Sequence, residues 1–402
     1  MSEPPPSYSI GRLPRITFGD GSLALVPAIV AGHGDRVLLV TGGVSFTDSP
    51  HHARLEQGLV DAGVAIAGLA RVTGEPGLAD VERPVARYRD AGVEVVLGIG
   101  GGAALDTAKA IAGLLRSGTS LMDHLEGVGH GLAYPGPALP VVAVPTTAGT
   151  GSEATRNAVI TERGPQGYKR SFRDERLVPA DAVVDPDLLA TAPPPLIAAN
   201  GLDALTQLLE AFTSQRATPF TDPLALAGLA DVRQGLLAWH ADPDGPRAPA
   251  SRGRMAHAAL LSGICLANAG LGAVHGLASP LGAQLPIPHG MACGAVLWRT
   301  VQANIGALRD RDPHSPALER YAEIGRLLAG LPPSATAGAA QTALVDTLRD
   351  WVERLGVPGL ATFGMSAEHI PAIVADSPGS SMRTNPVALS DAELTSVLER
   401  SL

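Results

Sequence analysis

The chain has 402 residues, length for two or three domains, and 45% hydrophobic against 17% charged residues make it globular, not disordered. A net charge of −9 with no basic stripe argues against a nucleic-acid binder. Two cysteines, Cys265 and Cys293, can build neither a disulfide framework nor a cysteine-only metal site, and point to a reducing compartment.

The opening MSEPPPSYSI is polar and proline-rich, without the charged and apolar regions of a signal peptide. Residues 36–41 (RVLLVT) form a short apolar run that ends in Gly42 and Gly43, and residues 64–72 make a second candidate strand. Residues 80–89 are polar and helix-like, with Pro84 interrupting them. A strand over 93–99 runs into three glycines, and 103–115 has helical periodicity. Further strands are predicted at 141–144 and 182–184. Alternating β and α units predict a parallel sheet covered on both faces.

After Pro193–Pro195 the pattern becomes helical, at 196–213, 223–239, 255–269, 317–328 and 339–355, with no comparable strand runs. The expected domains are residues 1–190, α/β, and 191–402, all-helical. Residues 241–252 read as a loop between helices. Residues 256–274 carry no Asp, Glu, Lys or Arg, and are read as a buried helix in preference to a membrane span.

Four segments carry chemistry. GIGGGA at 98–103 follows a strand and opens a helix, where glycines let backbone N–H groups approach a phosphate. A strand-to-helix turn without a ligand gives the same pattern. VPTTAGTGSE at 144–153 sets Thr146, Thr147, Thr150 and Ser152 among glycines, which suits phosphate and ribose oxygens as well as a plain turn. In NGLDALTQLLE, Asp203 and Gln207 are four apart and share a helix face. In VHGLASPLGAQLPIPHG, His275 and His289 each precede a glycine, and Pro280, Pro286 and Pro288 between them can turn the chain back. One Asp and two His in a helical domain make a three-ligand set with a position open for water or substrate. Cys265 and Cys293 read as small buried residues, with Cys293, four residues past His289, the one near enough to see that site.

Only two of the 30 basic residues are lysines, Lys109 and Lys169. In a chain that otherwise uses arginine, each marks a place that calls for a compact ammonium instead of a wide fork.

Together these motifs, with VVDPDLL at 183–189 and SSMRTNP at 380–386, resemble the iron-containing (group III) alcohol dehydrogenase family over nearly the whole chain. That superfamily also holds glycerol dehydrogenase, maleylacetate reductase and dehydroquinate synthase. The resemblance implies a Rossmann-like dinucleotide-binding domain followed by an all-α metal domain. It also implies an NAD(P)-linked, metal-dependent oxidoreductase that interconverts an alcohol and its aldehyde or ketone. By this match Gly100, Gly101, Gly102 and Ala103, with Asp106, belong to the pyrophosphate cradle. Thr146, Thr147 and Thr150 are adenosine and ribose contacts, and Asn157 and Lys169 line the nicotinamide side. Asp203, His275 and His289 match three of four metal ligands, for ferrous iron or zinc, with His275, His289, Ser279 and Lys169 as catalytic groups.

The chain departs from the family at three points. Gln207 stands where the fourth ligand is usually His, and an amide oxygen is a weaker, harder donor than imidazole. Ser279 replaces a second His near the nicotinamide. Gly42, followed by Gly43, stands where NAD-preferring relatives often carry Asp, so nothing repels a 2′-phosphate and free N–H groups can meet one; the expectation is NADP, with NAD the alternative. Gln207 and Ser279 leave open a metal-independent reductase of an anionic carbonyl, or a cofactor-binding protein without turnover. Phe212, His257 and Trp298 are candidates to line the substrate pocket. A small alcohol or aldehyde, a cytoplasmic location and a homodimer or larger homo-oligomer complete the expectations, with neither nucleic acid nor membrane as a partner.

Overall fold

The computed structural model describes residues 6–164 and 167–402; residues 1–5 of the proline-rich start and residues 165–166 lie outside it. One unit spans 11–162 and 167–192, and the other 193–402 with the short pieces 6–10 and 163–164.

In the first unit the elements run β1 (Arg15–Phe18), α1 (Val26–Ala31), β2 (Arg36–Thr41), α2 (Pro50–Asp61), β3 (Ala65–Arg71), α3 (Leu78–Tyr88), β4 (Val95–Gly100) and α4 (Gly102–Leu114). They continue with β5 (Val141–Pro145), β6 (Asn157–Glu162), β7 (Tyr168–Arg173) and β8 (Asp181–Val184). Six strands pair in parallel in the order β1-β8-β5-β4-β2-β3, while β6 and β7 form a separate antiparallel hairpin. β4 is buried at every residue, as a central strand covered on both faces must be. The chain passes from β2 outward to β3, returns to β4 on the other side of β2, and continues to β5. The order therefore reverses between β2 and β4, and the crevice past the carboxyl ends of such strands is where open α/β sheets bind ligands.

Pro84 does not interrupt α3, which runs through it from a first turn closed by Asp80 on the Gly77 N–H. β1, α2 and the β6–β7 hairpin were not foreseen from sequence. α2 buries only Leu55 and Leu59, and β7 (YKRSFR) buries only Phe172, so neither shows a clear apolar period.

The second unit is helical: α5 (Pro194–Thr213), α6 (Thr221–Ala241), α7 (Ala248–Ala269), α8 (Ala273–Gln284), α9 (His289–Arg311), α10 (Pro316–Ala329), α11 (Ala337–Arg354), α12 (Ile370–Asp376) and α13 (Asp391–Glu399). α5 is buried along nearly its whole length and packs against α6, α7 and α9. α7 starts at Ala248, so the loop expected over 241–252 is shorter, and Pro280 sits inside α8. No single helix among the described residues is long and apolar enough to cross a membrane. The charge-poor stretch 256–274 is broken at Gly270, where φ is +78°, and α7 and α8 bend there by 102°.

Lys109 lies wholly inside the first unit. Its ammonium donates to the Ser152 carbonyl and Thr155 Oγ1, each at 3.0 Å, and pairs with Asp106 Oδ1 at 2.9 Å. Three donors meet three acceptors, so the buried cation is satisfied. Asp106 also accepts from Ser152 Oγ and from the Val159 N–H, tying α4 to the β5 loop and to β6.

Glu153, in the same buried loop, has its carboxyl raised from 4.5 to about 7 by burial, against the pull of Lys109. A carboxyl that holds its proton more tightly when folded gives stability that is complete below its unfolded value and lost as pH rises through about 7. Glu153→Gln is therefore expected to gain about 1–3 kcal/mol over wild type between pH 5 and 8, at roughly 1.4 kcal/mol per unit. Urea midpoints of both proteins across that range are the check; parallel curves refute it.

Candidate active site

In the first unit the strand register fixes a candidate nucleotide cradle. Gly100 pairs with Pro145 across β4 and β5, and Ile99 with Thr41 across β4 and β2, so the loops after all three strands emerge together. The Thr146 N–H donates to the Gly100 carbonyl at 3.0 Å. Gly100 adopts φ +154°, and a Cβ there would lie 2.7 Å from Ala104 Cβ and 3.0 Å from the Gly42 nitrogen. A Cβ on Gly102 would lie 2.6 Å from Thr150 Cγ2, and one on Gly101 3.3 Å from Thr147. Glycine is thus required for the loops to close on one another. No side chain caps the start of α4 at Gly101, which leaves an anion-attracting helix end framed by Thr147 and Thr150. This cradle fits a dinucleotide pyrophosphate.

One expectation changes here. The Gly42 N–H is not free for a phosphate: it donates to the Ile99 carbonyl at 3.2 Å. Neither Gly42 nor Gly43 is needed for space, since a Cβ would find 3.9 Å at the first and open room at the second. Lys109 and Asp106 face each other and the β5 loop, so they hold the cradle's frame. Lys169 pairs with Glu75 at 2.8 Å, and Asn157 Oδ1 accepts from Arg173 Nε at 2.8 Å.

A separate group of candidate residues lies in the helical unit. Asp203 and Gln207 are on α5, His275 is in the first turn of α8, and His289 is the first residue of α9. His275 Nε2 is 3.2 Å and His289 Nε2 3.7 Å from Asp203 Oδ1. Cys293, one turn along α9, joins this group: one donor atom from each of the four residues lies within 4.8 Å of the others. Asp203, His275 and Cys293 are buried, and a His–His–carboxylate set of this compactness fits a divalent cation.

Gln207 donates through Nε2 to Asp203 Oδ1 at 3.0 Å and accepts from Ser262 Oγ at 2.7 Å. Its oxygen is occupied on the Ser262 side. Ser279 Oγ donates to the His275 carbonyl at 3.1 Å. Phe212 is buried beneath the Arg320 guanidinium, His257 pairs with Asp231 at 2.7 Å, and Trp298 stacks with Arg299. None of these three joins the ligand group.

Sequence reasoning missed Glu210. Its Oε2 is 2.6 Å from His275 Nδ1, and its Oε1 accepts from the Val274 N–H at 2.7 Å. A buried carboxylate on the outer nitrogen fixes the tautomer and aims Nε2 at the ligand group. The available signal was position: 203, 207 and 210 follow a helical face. Nδ1 of His289 is buried without a hydrogen-bond partner.

Charge follows from this packing. Burial pushes the Asp203 carboxyl up, but the His275 hydrogen bond, the charges of His289 and His275, and Gln207 outweigh it and hold the carboxyl below its usual range. Burial works against a charged His275, yet Cys293, Glu210 and Asp203 raise it well above the usual imidazole value. The cysteines part company: burial drives the Cys265 thiol up to about 12, whereas at Cys293 the two imidazoles overcome burial and lower it.

A parallel sheet with glycine loops at its switch point, and a helical unit with an Asp–His–His donor set, are the features of a dinucleotide-linked oxidoreductase with a candidate cation site. The profile described as iron-containing alcohol dehydrogenase matches residues 14–186, and that for the C-terminal part of the family matches 197–402. The 1-propanol dehydrogenase PduQ of Salmonella typhimurium is 32% identical over 395 residues, covering 96% of this chain and 98% of that one. Among solved structures, an archaeal halo-thermophilic Red Sea brine pool alcohol dehydrogenase, ADH/D1, bound to NZQ, superposes with a TM-score of 0.90 at 28% identity over the full length of both chains. Sulfoacetaldehyde reductase from Bifidobacterium kashiwanohense in complex with NAD+ gives 0.82 at 27% identity, covering 98% of each. The chain belongs to the iron-containing alcohol dehydrogenase family, and it is an oxidoreductase that interconverts alcohols and aldehydes or ketones.

Proposed function

We propose that Asp203, His275 and His289 hold one divalent cation, iron or zinc, and that the chain uses it with NADP to interconvert a small alcohol and its carbonyl product. The observation that carries this reading is the approach of two imidazole Nε2 atoms to one carboxylate oxygen, at 3.2 and 3.7 Å. When bound, the cation supplies Lewis acidity toward the substrate oxygen and the nicotinamide accepts or donates hydride. Glu210 orients His275, and Gln207 orients Asp203. Ser279, one turn past His275, passes a proton once it releases the His275 carbonyl. Asn157 and Lys169 are assigned to the nicotinamide side by the family match.

NADP is favoured over NAD because no carboxylate follows β2 until Asp48 and because a cation lies close by. Arg71, at the end of β3, reaches Thr47 Oγ1 in that loop at 3.4 Å. Relatives are named for 1-propanol and methanol, which favours a short alcohol, although another is named for long-chain alcohols. Two buried free cysteines favour a reducing, cytoplasmic setting, and a homo-oligomer remains the expectation from the family.

The test is elemental analysis of purified protein before and after chelation, beside NADPH and NADH oxidation with short aldehydes. Near-stoichiometric iron or zinc, with activity lost on stripping and regained on addition, is expected. A metal-free but fully active protein overturns the metal assignment. In the same assay Gly102→Ala, which drives a methyl into Thr150, is expected to weaken NADPH binding by about tenfold or more, roughly 1.4 kcal/mol, with metal content unchanged. Unaltered binding removes the cradle from the cofactor site.

A further inference from the structure

We infer that Cys293, and not Gln207, supplies the fourth protein donor to the metal. This rests on the proposal that Asp203, His275 and His289 bind a cation.

The placement follows from the helix. α9 begins at His289, and Cys293 is four residues on, so the two side chains project from the same face one turn apart. Cys293 Sγ lies 3.9 Å from His289 Nε2 and within 4.8 Å of donor atoms on Asp203 and His275. Donors around a tetrahedral zinc, with bonds of roughly 2.0 Å to nitrogen or oxygen and 2.3 Å to sulfur, stand roughly 3.3–3.6 Å apart. The observed separations of 3.2, 3.7 and 3.9 Å need only small side-chain shifts to reach that geometry. The sulfur is wholly buried, and its polar neighbours include the two imidazoles proposed as ligands.

Gln207 meets the same Asp203 oxygen as the two imidazoles, but with a donor. Its NH2 group meets the Asp203 carboxylate, where a cation would repel it, and its oxygen meets Ser262. To ligate, the amide has to turn over, giving up the bond to Asp203 and facing an oxygen with an oxygen. Gln207 is better placed as a positioning residue that leaves one Asp203 lone pair for the metal.

The chemistry follows from the donor. A bound cation would take Cys293 as the thiolate, so loading would release one proton. One carboxylate and one thiolate then balance a divalent charge, and the soft sulfur favours zinc over harder cations such as magnesium or manganese. Four protein donors would still leave the cation able to take a substrate oxygen, because zinc can expand its coordination.

The experiment uses the full chain, stripped by chelation and reloaded with zinc or cobalt(II). X-ray absorption at the zinc edge of the wild-type protein is expected to show one sulfur scatterer at about 2.3 Å. The cobalt protein is expected to show a thiolate-to-metal charge-transfer band in the near ultraviolet. That band is expected to vanish in Cys293→Ser and persist in Gln207→Leu. Zinc affinity of Cys293→Ser is expected to fall by more than the roughly 10–100-fold that loss of an outer partner costs. Failure of wild type to retain any of zinc, cobalt or iron overturns the underlying metal proposal. Retained metal with only nitrogen and oxygen neighbours, or a band lost in Gln207→Leu and kept in Cys293→Ser, overturns the role of Cys293 alone. The absorption measurement decides the matter if a variant fails to fold.

Discussion

His275→Ala is expected to lose bound metal and to lower kcat by about a thousandfold or more, equivalent to roughly 4 kcal/mol of transition-state stabilisation. Removing the imidazole withdraws Nε2 from the ligand group and leaves Glu210 buried without its 2.6 Å partner. Two losses therefore coincide, one in affinity and one in the packing of α5 against the start of α8. Glu210→Gln separates them. It keeps the shape of the side chain and the Val274 contact but removes the charge that fixes the His275 tautomer. Metal affinity is expected to fall about 10–100-fold, with activity restored at high metal concentration. Metal titrations followed by activity distinguish the two variants; retention of both metal and turnover by His275→Ala removes it from the site.

Lys109→Met is expected to cost about 3–5 kcal/mol of folding stability, the usual result of breaking a buried ion pair from one side. Asp106 would keep its charge in a nearly closed environment, the Thr155 hydroxyl would lose the ammonium, and the Ser152 carbonyl would keep only its 3.3 Å contacts from Thr155. Lys109→Arg is not a rescue. A planar fork needs more width than a wholly buried ammonium occupies, and over-packing of this kind costs about 1–3 kcal/mol. Denaturant midpoints of both variants measure the effect. Stability within 0.5 kcal/mol of wild type for Lys109→Met, roughly the size of an ordinary surface change, defeats the argument.

Much of this was legible in the sequence because the chemistry there uses distinctive residues. The strands before GIGGGA and VPTTAGTGSE are continuous apolar runs, as buried parallel strands must be. Asp203, His275 and His289 stand out because charged and imidazole groups are rare among such apolar neighbours. Lys109 stood out by residue count, and its place in the fold gives the reason: three acceptors converge on one small cation. What could not be read was partnership. Glu210 looks like any helix-end acid until α8 brings His275 against it. Gln207 matches a ligand position, but which way its amide faces depends on Ser262 of α7, 55 residues away. The Gly42 N–H looked available because its acceptor, the Ile99 carbonyl, belongs to a neighbouring strand. The β6–β7 hairpin hid because its strands are mostly polar and half-buried.

Two of the candidate ligands, His275 and His289, sit in the opening turns of their helices, and the third lies 72 residues before the first of them. Helix starts are where backbone amides lack internal partners and fray first. A cation there would act as a staple across α5, α8 and α9, and its concentration would become a term in the protein's heat resistance. At a thousandfold excess over the dissociation constant the added stability is about 4 kcal/mol. Amide hydrogens in the first turns of α8 and α9 should then exchange markedly faster in chelator than in zinc, while those of β4 and β5 keep their rates.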